Sequence, residues 1–82
     1  MATQSVRIGT KEVVIAPAEA EDGSFVASVR GGRQANEAFA PAEWSDPRVR
    51  LDAARTICES FDITRNNQNL TKVAKAIEDA IA

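Results

Sequence analysis

The apolar residues of this chain change their spacing once. Over about residues 5–39 they tend to alternate with polar residues, which is the period of a strand that buries one face. From residue 45 onward they recur every three or four positions, as in amphipathic helices. Strands that all precede the helices are typical of an α+β domain. The sequence therefore predicts a small antiparallel sheet of three to four strands, with two C-terminal α-helices packed on one face.

The strands are predicted from short β-branched runs bounded by turn residues. Residues 5–9 and 12–16 predict a hairpin. Residues 24–30 give the clearest strand, because every second side chain is apolar. Gly31-Gly32 then predicts a two-residue turn. Residues 33–39 follow as a fourth strand or a loop, since their composition is poor for a strand.

Two helices are predicted over residues 45–82. The first covers 47–61, with Ser45 or Asp46 as its N-cap. The second follows a polar linker and begins after an Asn69 cap. The predicted apolar stripes are Leu51, Ala54, Ile57, Cys58 and Phe61 on the first helix, and Leu70, Val73, Ala74, Ile77 and Ile81 on the second.

The chain length favours one domain. Fifteen of the apolar residues among the 82 are alanines, which leaves 21 larger apolar side chains for a core. A domain of this size is marginally stable. We expect residues 1–82 to form a single small domain, and the uncovered edges of a short sheet make a homodimer an open alternative.

Cysteine usage and the N-terminus predict a cytoplasmic protein. The single cysteine, Cys58, cannot form an internal disulfide, which is typical of a reducing compartment. Residues 1–5 are short and polar, and no apolar run follows that is long enough for a signal peptide or a membrane span. We therefore expect no contact with a membrane.

The residue inventory argues against an enzyme. The chain has no histidine, so the commonest general base and metal ligand are missing. Cys58 falls on an apolar stripe with no cation placed to activate it. The acidic residues Glu19, Glu21 and Asp22 lack the spacing of a calcium loop, and no glycine-rich phosphate loop is present. We expect no catalytic residues, no cofactor and no bound metal.

Arginines in the middle of the chain carry the binding hypothesis. Arg30 and Arg33 flank Gly31-Gly32, so a two-residue turn would place like charges side by side. They could grip a carboxylate or phosphate, or be neutralised by Glu37 or solvent. Arg50 falls inside an apolar stripe, where it either snorkels to solvent or projects beside a tryptophan onto a partner. The candidate partner-binding residues are Arg30, Arg33, Trp44, Arg48, Arg50 and Arg55.

One segment resembles a known family. Glu12–Arg30, with Asp-Gly-Ser-Phe-Val-Ala-Ser-Val near its end, resembles the opening hairpin of HicB-type antitoxin domains. The resemblance covers about a quarter of the chain. The Pro/Gly-rich strand and the Gly-x-Thr-x-x-Glu-Ala helix entry that follow in that family do not occur here. An antitoxin-like domain is therefore one alternative that the resemblance implies.

These observations favour a small non-enzymatic module that docks onto another protein. A bacterial or phage accessory or inhibitor protein would have this size and composition. The alternative is a nucleic-acid-associated protein that uses the arginine cluster. The net charge of −2 and the pI near 5.0 count against nucleic acid, because non-specific affinity grows with the phosphates neutralised.

Overall fold

The chain folds as a four-stranded sheet followed by two helices. The structure, a computed structural model, describes residues 2–31 and 34–82. The elements are β1 (Gln4–Ile8), β2 (Lys11–Pro17), β3 (Phe25–Arg30), β4 (Ala35–Phe39), α1 (Pro47–Ser60) and α2 (Asn67–Ile81). All neighbouring strands are antiparallel, in the order β1-β2-β3-β4. The predicted α+β class is confirmed, with four strands and the helices on one face.

Alternation along the strands decides which face of the sheet is buried. In β3, Phe25 and Val29 are 1% and 2% exposed, whereas Val26 between them is 41% exposed. In β2, Val13 and Ile15 are completely buried. Because successive side chains of a strand point to opposite faces, these residues share the face that the helices cover. The other face is left without a helix.

The connection from β3 to β4 differs from the predicted two-residue turn. Such a turn would pair Val29 with Gln34, but Val29 pairs with Ala35. Gly31, at φ +88°, follows the end of β3, and a Cβ on it would lie 2.2 Å from the Thr10 carbonyl oxygen. β4 begins at residue 35 instead of 33. Residues 32 and 33 lie outside the described residues, so of the predicted arginine pair only Arg30 is described.

Polar side chains fix where both helices begin. The Asp46 carboxylate accepts from the Arg48 backbone N–H at 2.9 Å, which makes Asp46 rather than Ser45 the N-cap of α1. The predicted Asn69 cap of α2 is wrong by one turn. Asn66 is the cap, because its side-chain oxygen accepts from the Asn69 backbone N–H at 2.8 Å. A run with asparagine at both ends offered two possible caps.

The C-terminus of α1 is closed by its own backbone and by a lysine from the sheet. Asp62 takes φ +54°, and the Ile63 N–H then donates to the Cys58 carbonyl at 2.8 Å, as in a Schellman motif. The Lys11 ammonium donates to the Phe61 and Asp62 carbonyls at 2.7 and 3.0 Å. A cation suits the negative end of a helix dipole. This contact ties α1 to the first hairpin.

The helix stripes are buried as predicted, except at their margins. Leu51 is only partly buried, while Ala53 is 6% exposed. On α2, Ala76 and Ala80 are buried and Ala74 is partly buried. Alanine lets helix backbones approach their neighbours closely, so the alanine-rich sides turn inward and the longer Leu51 lies at the rim.

Phe61 is the first test of this packing. It is 4% exposed at the end of α1, within the apolar core. Phe61→Ala should lower the free energy of unfolding by about 3–5 kcal/mol, because it leaves a cavity that a small domain cannot close. Chemical denaturation measures the change. A loss below about 1 kcal/mol would contradict the burial of this ring.

Gly31 and Gly9 form a matched pair for testing the turn geometry. Both have positive φ, +88° and +62°, but a Cβ on Gly31 would lie 2.2 Å from the Thr10 carbonyl oxygen, whereas Gly9 has open space around it. Alanine at either position strains the backbone, and at Gly31 it also displaces a neighbouring backbone. Gly31→Ala should therefore cost about 1–3 kcal/mol more than Gly9→Ala in thermal or urea unfolding. Equal losses would contradict the close approach.

Candidate functional site

The sheet face opposite to the helices is uncovered by the rest of the described chain. We call this surface the open face. The register of the strands arranges its side chains in three rows that run across the sheet. The charged row is Arg7–Glu12–Arg30, the polar row is Ser5–Val14–Ser28–Asn36, and the apolar row is Ala16–Val26–Ala38.

The apolar row is flat and exposed. Val26 is 41% exposed, and among the residues that the structure describes it is the one large hydrophobic side chain that is exposed to this degree. Ala38 beside it is also exposed, and Ala16 and Val14 are half-buried. Small side chains on a pleated surface allow another surface to approach closely. Exposed apolar area next to polar residues is typical of an interaction site.

The charged row alternates in sign. Glu12 pairs directly with Arg7 on β1 and with Arg30 on β3. Opposite charges in these positions support the sheet modestly. Both guanidinium groups remain exposed, so each can still form forked hydrogen bonds with a carboxylate from outside. The row can therefore receive acidic groups at its two arginines and a basic group at Glu12.

The acidic neighbour of Arg30 in the sheet is not the residue that the sequence suggested. Glu37, the predicted neutraliser, lies on the helix side of β4, where it accepts from the Ser60 hydroxyl at 3.4 Å. Arg30 lies on the open face beside Glu12. Arg30 and Glu37 therefore lie on opposite faces of the sheet, because side chains alternate between the two faces along each strand.

The structure does not gather the candidate arginines into one cluster. Arg30 belongs to the open face, while Arg48 and Arg55 lie on α1, on the other side of the sheet. The side chains of Arg48 and Arg55 are 91% and 52% exposed and contact Asp46 and Asp52. Arg33 lies outside the part of the chain that the structure describes.

Trp44 and Arg50 serve the fold where the structure places them. Trp44 is 8% exposed, packs in a tilted arrangement against Phe25 at a centroid distance of 5.1 Å, and donates its indole N–H to the Gly23 carbonyl. Arg50 donates to the Trp44 carbonyl at 2.6 Å, and its guanidinium lies 4.0 Å from the Glu78 carboxylate. Its side chain is only 15% exposed. Together they fasten the segment before α1 to the core and to α2.

Two clefts lie outside the open face. One, of about 400 Å³, lies by Trp44, Arg50, Glu78 and Ile81, where Arg50 already contacts the Trp44 carbonyl and Glu78. The other, of about 340 Å³, lies by Lys11, whose ammonium is held by two helix carbonyls. A binding pocket needs convergent polar groups that are free to meet a ligand. Arg50 and Lys11, the basic groups of these clefts, are already engaged within the fold.

The acidic loop before β3 shows local hydrogen bonds. The Asp22 carboxylate accepts from the backbone N–H and the hydroxyl of Ser24, and these bonds lower the pKa of Asp22. Over residues 2–31 and 34–82, no three His, Cys, Asp or Glu side chains come together as a metal site requires. Neither helix there is long and apolar enough to cross a membrane.

The chain matches no known protein family, no curated protein and no solved structure. The resemblance of Glu12–Arg30 to HicB-type antitoxin domains has no family match behind it and stays a prediction.

Sequence reasoning missed the apolar row of the open face. A signal was present in β2, where residues 13–16 are apolar at four successive positions. A strand with one solvated face alternates between apolar and polar residues. A continuous apolar run instead favours burial of both faces of the strand. Val26, on the outer side of β3, repeats that signal.

Cys58 provides a test of the helix layer. It is completely buried, and burial raises the pKa of its thiol, with a smaller opposing effect from Arg65. A thiol reagent should label it slowly in the folded protein and quickly in denaturant, because the thiolate is the reactive form. The free energy of unfolding should also fall as the pH rises above about 8.5, where the unfolded thiol ionises and the folded one does not. Fast labelling of the folded protein would contradict the burial.

Proposed function

We propose that this protein is a non-enzymatic protein-binding module that docks onto a partner protein through its open face. The observation that carries the proposal is the exposed apolar row at Val26, next to an exposed charged row on an uncovered sheet. A bacterial or phage accessory or inhibitor protein of the cytoplasm fits this description. Such proteins act by covering a surface and need no catalytic set.

The open face restricts the chemistry of the partner. Small side chains at Ala16, Val26 and Ala38 accept a flat apolar surface. The charged row has two arginines and one glutamate, so it is net positive on a chain whose net charge is −2. The partner should present small apolar side chains and at least one carboxylate that reaches Arg30. Complementary charges of this kind fix the register of a complex more than its affinity.

The distribution of aromatic residues counts against nucleic acid as the partner. Sheets that bind single strands stack bases on exposed aromatic rings. All four aromatic residues of this chain lie on the helix side of the sheet, where they pack in or against the core: Phe25, Phe39, Trp44 and Phe61. The candidate arginines are also divided between two faces. The open face therefore has neither a stacking platform nor a continuous basic surface.

Variants of the open face test this function. Tagged wild type and variants would be used for affinity capture from lysate of the native host, and the captured partner would be identified by mass spectrometry and purified. Val26→Asp and Arg30→Glu should each weaken the complex at least about tenfold, roughly 1.4 kcal/mol. They remove apolar contact and reverse a charge without opening the core, and calorimetry should show melting temperatures within a few degrees of wild type.

Matched controls lie on the exposed side of α2. Thr71→Asp and Lys72→Glu make the same changes in charge as the two test variants, at exposed positions on the far side of the sheet. They should leave the affinity nearly unchanged. Equal losses from test and control variants would contradict a defined surface. Binding that collapses between low and moderate salt and is abolished by nuclease would contradict a protein partner.

A further inference from the structure

We infer that the open face binds the open face of a second copy of this chain, in a two-fold symmetric dimer with the helices outside. The inference rests on the proposed function, since it names a partner for the same surface. The chain itself has the chemistry that the surface requires, namely small apolar side chains and a carboxylate. Face-to-face packing of two sheets is a common arrangement, with strand directions about 30° apart.

The charged row is complementary to itself. A two-fold axis that runs parallel to the strands, between β2 and β3, places β2 of one copy over β3 of the other. Residues at the same level of the sheet then face each other. Glu12 and Arg30 occupy one level on these two strands. Each Glu12 therefore faces the second copy's Arg30, and the pair occurs twice.

The apolar row and the outer pair of the polar row also match under this axis. Ala16 and Val26 share a level on β2 and β3, so apolar side chains face apolar side chains. In the polar row, Ser5 on β1 comes to face Asn36 on β4, and hydroxyl and amide groups can exchange hydrogen bonds. The same operation places Val14 opposite Ser28, so the charged row, the apolar row and the Ser5–Asn36 pair carry the complementarity.

The size of the open face predicts a weak dimer. Four strands about 4.8 Å apart, with three rows of side chains, cover about 400 Å² on each copy. That area, about 800 Å² for the two copies together, is below the roughly 1,200–2,000 Å² of stable specific interfaces and is in the range of weak, transient contacts. We therefore expect a monomer–dimer equilibrium in the micromolar range, so that another protein can displace the second copy.

Charge reversal tests the two-fold arrangement. Sedimentation velocity of the wild type from about 1 to 500 μM should show a shift from monomer to dimer. Glu12→Arg and Arg30→Glu should each raise the dimer dissociation constant at least tenfold, because like charges then face each other twice. An equimolar mixture of the two variants should restore the dimer. In the mixed pair, Arg at position 12 faces Glu at position 30, and Arg30 faces Glu12.

The mixture separates contacts between copies from contacts within one copy. Glu12 and Arg30 are also neighbours within each sheet, so a single reversal affects stability, which mixing cannot repair. If the single variants do not fold, Val26→Lys tests the same face without changing the charged row, with Thr71→Lys as its control. Val26→Lys should abolish the dimer and Thr71→Lys should not.

Two results would overturn the inference. One is a monomer at every concentration, and the other is a dimer that neither charge reversal nor Val26→Lys weakens. The proposed function would survive either result if wild type captured a different protein that Val26→Asp failed to hold. The dimer would survive failure of that capture. The two conclusions can therefore fail separately.

Discussion

The architecture depends on how much of the sheet two helices can cover. Four strands about 4.8 Å apart make a sheet about 19 Å wide. Two helices with axes about 8–10 Å apart cover about the same width with their side chains. α1 and α2, with 14 and 15 residues, both pack on the same face of the sheet. The described chain has no further helix or strand to cover the other face. The side chains of the open face therefore decide which molecules the protein can bind there.

The helix layer is held at both ends of α1 by basic side chains. Arg50 binds the Trp44 carbonyl at the beginning of the helix, and Lys11 binds the Phe61 carbonyl at its end. Between these points, alanines allow close packing on α2 and the sheet. Arg50 interrupts the apolar stripe because its guanidinium donates to the Trp44 carbonyl in the segment before α1. An irregularity in a sequence pattern can thus reflect a structural contact as well as a binding site.

The periodicity of the sequence was sufficient to predict the class, the order of elements and most of the core. Alternation in residues 24–30 identified β3 and its buried face, because every second side chain of a strand points to the same face of the sheet. Two kinds of detail could not be predicted. The N-cap of α2, Asn66 instead of Asn69, was a choice between chemically equal residues. The β3–β4 register was the other, since a Gly-Gly pair is compatible with a two-residue turn and also with a longer loop.

The candidate surface was harder to predict than the fold, and the edge strands explain why the face is the better candidate. β1 and β4 both have an unpaired edge, which is where association of a small sheet is first expected. On β4, however, Glu37 is partly buried against the helix side and bonded to Ser60. A strand added at that edge would desolvate this carboxylate, and inward-pointing charges are a known protection of edges. The open face has no such protection at Val26. Its only charges among the described residues form a row that favours one register, so the same residues that permit association also select the partner.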